Sequence, residues 1–332
     1  MGLDECLTKG TDVKTARLLS VGTLACVVLA ASLLSGCTAA ATTSQSAGKT
    51  PAAQTPVSGD FAGTVPIGDG RGLYLRCAGT GSPTVVLESG IHDSSDPWAI
   101  SETKPPLPKA LAVFPALAKR THVCMYDRPG TIRYANPAAL TTRSTPVPMP
   151  RTLPSMVSDL HALLTSAKIP GPYVLVGHSY GGMIVRLFAQ THPKDVAGLV
   201  LVDAFGTTIE QLFGSQWDRY IELLNQPGTA LDTKAGFETV DVNGAILAID
   251  QAPPLPAVPL AVLSKTAPFA TAEGVPSDLT ETLERVWPQV QDALVDLEPQ
   301  TPHVFATGSD HYVQINDPDL VTSMVELVIA RR

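Results

Sequence analysis

A serine flanked by glycines is the strongest chemical signal in this sequence. Residues 177–182 read Gly-His-Ser-Tyr-Gly-Gly, which places a glycine two positions from Ser179 on either side. An apolar run at 173–176 precedes the motif, and a helical pattern from Met183 to Gln190 follows it. This G-x-S-x-G spacing is typical of a nucleophilic serine on a sharp turn between a strand and a helix, where bulky neighbours would clash. The helix N-terminus would favour developing negative charge.

Short apolar runs alternate with helical patterns along most of the chain. Such runs suit strands that are covered on both faces, as in parallel sheets. Helical patterns occur at 154–167, after Ser179, and at 283–297, where Leu283, Val286, Val290, Leu294 and Leu297 share one face. The alternation predicts an α/β fold with a mostly parallel, doubly wound sheet. The expected strands are Leu73–Arg76, Thr84–Leu87, His122–Tyr126, Tyr173–Val176, Leu199–Val202, Pro259–Leu263 and Val304–Ala306.

From residue 61 to residue 332 the sequence resembles the α/β-hydrolase superfamily. The resemblance rests on the segments TVVLESG, MYDRPG, GHSYGG, GLVLVDA and TGSDHY, which occur in the superfamily's order. It implies an α/β-hydrolase domain over 61–332 with Ser179 as the nucleophile. A serine of this kind forms an acyl-enzyme that water then hydrolyses. Epoxide hydrolases and dehalogenases of this fold use Asp at the elbow, so the resemblance disfavours those activities.

The resemblance also implies a general base that follows the nucleophile, near the C-terminus. Three histidines follow Ser179. His192 stands at a helix end, and His303 begins the last expected strand, at the wrong edge of the sheet. His311 follows that strand, at the carboxyl edge where ligands bind in open α/β sheets. We therefore expect His311 to take the proton of Ser179 and to return it to the leaving group.

The acid that orients the histidine has more than one candidate. In the superfamily it usually follows the strand at 259–263, where this chain has Ser-Lys-Thr and reaches its next carboxylates at Glu273 and Asp278. The alternative place is the end of the preceding strand, where Asp203 stands. Asp203 is the first choice, with Asp278 and Glu273 as alternatives. Asp310 is adjacent to His311 and poorly placed to reach its ring.

The oxyanion hole of this superfamily is built from two backbone N–H groups. One is expected at Tyr180, directly after the nucleophile. The other is expected at Ile91, in the loop after the strand at 84–87, where this chain has Ser-Gly in place of the superfamily's frequent His-Gly. The three side chains expected to line or support the cleft are Trp98, Arg128 and His178.

Two further features follow from the superfamily's topology. The strand at 73–77 would lie beside the strand at 122–126, so that Cys77 and Cys124 could pair as a disulfide; the alternative is two buried thiols. A small helical cap would be inserted over about 204–257. There an apolar stripe covers either the active site or the core, and it consists of Ile209, Leu212, Phe213, Tyr220, Leu223 and Leu224.

The N-terminus resembles a bacterial lipoprotein signal. Basic residues precede an uncharged run at 18–34. The last residue of this run, Leu34, is followed by Ser-Gly and then by Cys37. The resemblance implies a signal peptide at 1–36, a lipid on Cys37, a flexible tether to residue 60 and an anchor on the outer side of the cell membrane. An ordinary signal peptide or a retained anchor are the alternatives. A start codon further downstream would account for the acidic residues near position 1.

Composition excludes several other functions. The chain carries 23 basic and 31 acidic residues, a net charge of -8, which disfavours nucleic acid as a partner. It has no phosphate loop and no Cys-His spacing for zinc, so no cofactor or metal is expected. The sequence predicts a carboxylesterase or lipase (EC 3.1.1) acting on a small ester or acyl compound, with thioesters and small amides as further substrates. The competing hypothesis is a lipoprotein that keeps the fold and only binds a ligand.

Overall fold

The computed structural model describes residues 59–270 and 275–332. The strands are β1 (Phe61–Gly68), β2 (Arg71–Ala78), β3 (Val85–Glu88), β4 (Val123–Tyr126), β5 (Ile132–Arg133), β6 (Ala139–Leu140), β7 (Tyr173–His178), β8 (Val196–Val202), β9 (Leu260–Lys265) and β10 (His303–Ala306). The α-helices are α1 (Val113–Leu117), α2 (Leu153–Ser166), α3 (Gly181–Thr191), α4 (Ile209–Phe213), α5 (Trp217–Asn225), α6 (Val242–Gln251), α7 (Ser277–Val295), α8 (Val313–Asn316) and α9 (Pro318–Arg331).

Eight of these strands form one sheet in the order β1-β2-β4-β3-β7-β8-β9-β10. β1 with β2 and β2 with β4 are antiparallel, whereas every pairing from β4 to β10 is parallel. The prediction of a mostly parallel α/β sheet is therefore confirmed. The expected strands are present with slightly different ends, while β1 and the small β5–β6 ladder were not expected.

Apolar side chains cover both faces of the sheet. Successive residues of a strand point to opposite faces. In β7, Leu175 belongs to the buried cluster that includes α2, α3 and α7, while Val174 and Val176 belong to the cluster that includes α1 and α9. Both layers are sealed from solvent, which explains the continuously apolar strands. The helix predicted at 154–167 is present as α2, and its apolar residues Met156, Leu160, Leu163 and Leu164 are buried.

A disulfide joins two neighbouring strands. Cys77 in β2 and Cys124 in β4 face each other in the antiparallel register, with their Cα atoms 4.1 Å apart, and their sulfurs are bonded. Both residues are buried. The structure thus has the bridge that the strand order implied.

The insertion between β8 and β9 carries α4, α5 and α6. Ile209, Phe213 and Tyr220 belong to the main core, and Leu212, Leu223 and Leu224 pack against its edge. The apolar stripe of this insertion is thus packed core, the second of the two interpretations. Cys37, where the sequence predicts a lipid, lies outside the described residues, as do the predicted signal peptide and most of the predicted tether. Within them, no helix is both long and apolar enough to cross a membrane.

Candidate active site

Ser179 stands on the turn between β7 and α3. Its backbone has φ +51°, in the left-handed region, which is rare for a residue with a side chain and occurs at strained functional turns. The two flanking glycines permit the turn. A Cβ on Gly177 would lie 2.6 Å from the carbonyl oxygen of Gly181, and one on Gly181 would lie 2.6 Å from that of Ser89. The serine is therefore held on a sharp elbow at the carboxyl edge of the sheet.

His311 and Asp203 meet at the same edge. Asp203 directly follows β8, and His311 lies in the loop after β10. The distance between His311 Nδ1 and Asp203 Oδ2 is 2.6 Å, and the aspartate side chain has no solvent exposure. With Nδ1–H donated to the carboxylate, His311 Nε2 is left as the proton acceptor of the ring.

The second oxygen of Asp203 is also occupied. Asp203 Oδ1 accepts hydrogen bonds from the backbone N–H of Lys265, at 3.0 Å, and from Trp287 Nε1, at 2.9 Å. Lys265 ends β9, the strand between β8 and β10. The carboxylate is thus fixed by donors from two elements, which orients the oxygen that faces His311.

Aromatic rings surround the imidazole of His311. Ring centroids of His178, Phe269 and Trp287 lie 4.6, 4.9 and 5.6 Å from that of His311. His178 Nε2 also donates to the backbone oxygen of His311, at 2.9 Å. Burial, and next the charge of His311, lower the pKa of His178 well below its usual value, so His178 is a neutral donor. It holds the histidine loop in place.

The two expected oxyanion donors are unoccupied. Among the described residues, neither the N–H of Tyr180 nor that of Ile91 donates a hydrogen bond within the chain. The backbone N–H of the next residue, His92, donates to Glu238 Oε2 at 2.7 Å and is therefore not available to a substrate oxygen. The N–H groups of Tyr180 and Ile91 are therefore available as donors, and their role as an oxyanion hole stays a prediction.

A buried ion-pair cluster supports the oxyanion loop. Arg128 Nη1 and Nη2 donate to the backbone oxygens of Ser89 and Gly90, at 2.8 and 2.6 Å. The same guanidinium pairs with Glu88 Oε1 at 2.6 Å and with Glu238 Oε1 at 2.8 Å. Burial by itself would raise the pKa of Glu238. The positive charge and hydrogen bonds of Arg128 outweigh the effect of burial, so the pKa of this carboxyl is lowered. Arg128 thus fixes the loop from beneath, as expected of a supporting residue.

A further carboxylate lies beside the histidine loop. Asp93 Oδ1 accepts from Tyr134 Oη at 3.1 Å and from Tyr312 Oη at 3.5 Å. Burial raises the pKa of Asp93 to about 6, against the opposing effects of Tyr134, Arg128 and His311. Asp93 is therefore a buried acid that still ionises at neutral pH.

The remaining candidates lie elsewhere. Asp278 is half exposed in the first turn of α7 and pairs with Arg219 at 2.7 Å. Glu273 lies outside the described residues. Asp310 accepts from the N–H of Tyr312 and from Asn316. Trp98 is fully buried in the core on the α1 and α9 face of the sheet.

Sequence reasoning missed Glu238, Trp287, Phe269 and Asp93. Glu238 is 110 residues from its partner Arg128, and Trp287 is 84 residues from Asp203. Neither pair has a local motif, since the fold alone brings the partners together. The one available signal was Glu88, a charged residue at the end of an otherwise apolar strand, which required a buried counter-charge.

The fold and the Ser-His-Asp set define a protein of the α/β-hydrolase class. Residues 85–324 match the sequence profile of the Alpha/beta hydrolase family, and the chain therefore belongs to that family.

Several known proteins are similar to parts of this chain. An uncharacterised protein of Schizosaccharomyces pombe is 31% identical over 149 residues, which are 40% of this chain and 26% of the relative. Lipase LipV of Mycobacterium tuberculosis is 42% identical over 72 residues, 22% of this chain and 27% of the lipase. Each match thus spans about a quarter of the relative's length. The structure of a thermophilic esterase from Thermogutta terrifontis is similar with a TM-score of 0.52 and 19% identity, over 82% of this chain and 98% of the esterase, which shows the shared fold.

Proposed function

We propose that this protein is a serine hydrolase that cleaves carboxylic esters through an acyl-enzyme on Ser179. The observation that carries the proposal is the 2.6 Å contact between His311 Nδ1 and Asp203 Oδ2, at the sheet edge where the elbow presents Ser179. This contact supplies an oriented base, which an elbow serine needs in order to become a nucleophile.

The proposed reaction has two halves. Ser179 Oγ attacks the ester carbonyl while its proton passes to His311 Nε2, and Asp203 stabilises the imidazolium that forms. The N–H groups of Tyr180 and Ile91 bind the oxygen that becomes negative. His311 then protonates the departing alkoxide, which leaves as an alcohol. In the second half, His311 takes a proton from water, the hydroxide attacks the acyl carbon, and Ser179 regains its proton as the acid leaves.

Esters are the favoured substrate class. Thioesters and small amides are further candidates, because they are cleaved through the same kind of acyl-enzyme. The named lipase among the relatives supports an ester bond, but the match to it covers only 22% of this chain. The competing hypothesis, a lipoprotein that only binds its ligand, depended on an unidentified acid. The contact of Asp203 with His311 and the two unoccupied amides favour catalysis over binding alone.

A fluorophosphonate probe tests the proposal, since it labels activated serines. We expect the purified protein to be labelled and to hydrolyse short p-nitrophenyl esters, and we expect Ser179→Ala to lose both properties. Absence of labelling and of ester cleavage in a folded wild-type protein would reject catalysis in favour of ligand binding.

We further propose that the protein is exported and anchored to the membrane by a lipid on Cys37. The signal-like run before Cys37 supports this, and the Cys77–Cys124 disulfide fits an oxidising compartment. Growth of the producing cells with a tagged fatty acid should label the wild-type chain and place it in the membrane fraction. A Cys37→Ala chain that carries the same label would contradict the anchor.

A further inference from the structure

Two histidines and an aspartate converge on the side of the domain formed by α2 and the C-terminal end of α3. His161 lies in α2, His192 directly follows α3, and Asp195 ends the short 3₁₀ helix Pro193–Asp195. The two imidazole rings are stacked, with centroids 4.1 Å apart and planes 4° from parallel. One ligating atom from each of the three residues lies within 4.8 Å of those of the other two.

None of the three side chains has another evident task. Over residues 59–270 and 275–332, no hydrogen bond reaches a ring nitrogen of His161 or His192, and His161 Nε2 lies 3.7 Å from Asp195 Oδ2. The side chains of His161 and Asp195 are 41% and 45% exposed. His161 and His192 also line a groove of about 490 Å³ between α2, α3 and α6. An ion could therefore reach the ring nitrogens from solvent.

We propose that His161, His192 and Asp195 form a surface site for a divalent transition-metal ion, with Zn²⁺ as the ion to test. Two imidazoles and a carboxylate are ligands that Zn²⁺ prefers, and water would complete a tetrahedral shell. Ligands about 2 Å from one ion lie roughly 3 Å apart. Binding would require the three partly exposed side chains to rotate and at least one of the two rings to turn out of the parallel stack, so that both nitrogens face the ion.

The kinds of ligand at the site select among metal ions. Nitrogen ligands distinguish this site from those of Mg²⁺ and Ca²⁺, which require oxygen ligands. Cu²⁺ and Ni²⁺ should also bind at this site in place of Zn²⁺, in the usual order of affinity of divalent transition metals.

The site is independent of the proposed hydrolase reaction. It uses none of the residues assigned to catalysis, although α3 connects it to the elbow, since that helix begins at Gly181 and ends one residue before His192. No sequence motif indicates this metal site, because His161 and His192 are far apart in sequence and come together only where α2 packs on α3. The metal would join these two helices, and its binding should therefore stabilise the folded chain.

Calorimetric titration of the metal-free protein with Zn²⁺, without a polyhistidine tag, tests the proposal. We expect one saturable site and a rise in Tm that grows with Zn²⁺ concentration, while Mg²⁺ and Ca²⁺ have no such effect. His161→Phe and His192→Phe keep an aromatic ring in the stack but remove its ligand. Each should weaken Zn²⁺ binding by at least about tenfold, the loss that even outer-shell changes cause.

A matched control uses His303, a third partly exposed histidine, whose Nδ1 lies 3.9 Å from Asp292. His303→Asn should bind Zn²⁺ as the wild type does. Circular dichroism and Tm without metal establish that each variant is folded. No saturable binding by the wild-type protein up to millimolar Zn²⁺ overturns the proposal. So does unchanged affinity in a folded His161→Phe or His192→Phe variant.

Discussion

The carboxylate of Asp203 reaches His311 across an intervening strand. Asp203 follows β8 and His311 follows β10, with β9 between them, yet Asp203 Oδ2 lies 2.6 Å from His311 Nδ1. The N–H of Lys265, at the end of β9, donates to the other oxygen of the same carboxylate. The place after β9, where the acid of this superfamily is usually found, thus contributes a backbone donor, and the carboxylate that contacts His311 follows β8.

Asp203→Asn should therefore reduce kcat by about three to four orders of magnitude, because an amide favours the wrong tautomer of the base. KM should change much less. Hydrolysis of p-nitrophenyl esters and a circular dichroism spectrum measure activity and folding on the same sample. A folded Asp203→Asn protein with wild-type kcat would show that another carboxylate orients His311.

Asp278→Asn is the matched test of the alternative acid. Asp278 is exposed and pairs with Arg219 on the surface, where such pairs contribute little to stability. We expect no measurable change in kcat, KM or Tm. A large loss of kcat in this variant would move the acid from Asp203 to Asp278 and would require α7 to shift toward His311.

Local pattern determined which elements could be predicted. The buried strands β3, β4, β7 and β8 were predictable because both faces are covered and nearly every residue is apolar, the exceptions being Glu88 and His178 at the ends of β3 and β7. β1 was missed because Gly63, Thr64 and Pro66 interrupt its pattern. As the outermost strand of the sheet, it can tolerate a proline that a central strand could not.

The site was predictable only where chemistry is local. Ser179 lies within one contiguous motif, and His311 could be placed by its position after the last strand. Asp203 remained one of several acids, because sequence order does not show which strand end reaches the imidazole. Glu238 could not be predicted at all, since only the packing of the insertion brings it beneath the loop at Gly90.

The stability of the protein should depend on Asp93 between about pH 4 and pH 6. Burial raises the pKa of Asp93 to about 6 from 3.8, so in this range the folded state binds more protons than the unfolded state. The contribution of Asp93 to the free energy of unfolding therefore falls as pH rises, by about 3 kcal/mol in all. Above about pH 6 the carboxyl of Asp93 is charged in the folded state as well as in the unfolded state, so its contribution no longer changes with pH.

Comparison of the wild type with Asp93→Asn isolates this contribution, because the other titrating groups are common to both proteins. Urea denaturation at pH 4 and pH 7 should show that the variant gains about 3 kcal/mol relative to the wild type at the higher pH. A stability difference that does not change with pH would mean that Asp93 has an ordinary pKa.

Loss of the Cys77–Cys124 bridge should destabilise the fold without altering the active site. The cysteines are separated by 47 positions in the sequence, so the bridge closes a long loop in the unfolded chain. Chain entropy predicts a loss of about 4 kcal/mol for the Cys77→Ala/Cys124→Ala variant. Guanidinium denaturation measures the loss, and kcat at 25 °C, measured below the midpoint, should be unchanged. Equal stability of the two proteins would mean that the bridge does not form.

Glu238 should influence catalysis through the oxyanion loop. Its carboxylate accepts from Arg128 and from the backbone N–H of His92, one residue after the expected donor Ile91. In Glu238→Gln one of these oxygens becomes an NH₂ group that faces a donor, and the buried ion pair is lost. We expect the free energy of unfolding to fall by about 3–5 kcal/mol.

The kinetic effect distinguishes positioning from stability alone. Because a displaced Ile91 N–H would stabilise the transition state less, kcat should fall by about tenfold to a hundredfold in Glu238→Gln, below the effect of removing a donor outright. KM should change little, and Glu238→Asp, which keeps the charge, should recover part of kcat. Arg219→Gln breaks an exposed ion pair and serves as the control. A destabilised Glu238→Gln with wild-type kcat at a temperature where it is folded would assign Glu238 to stability only.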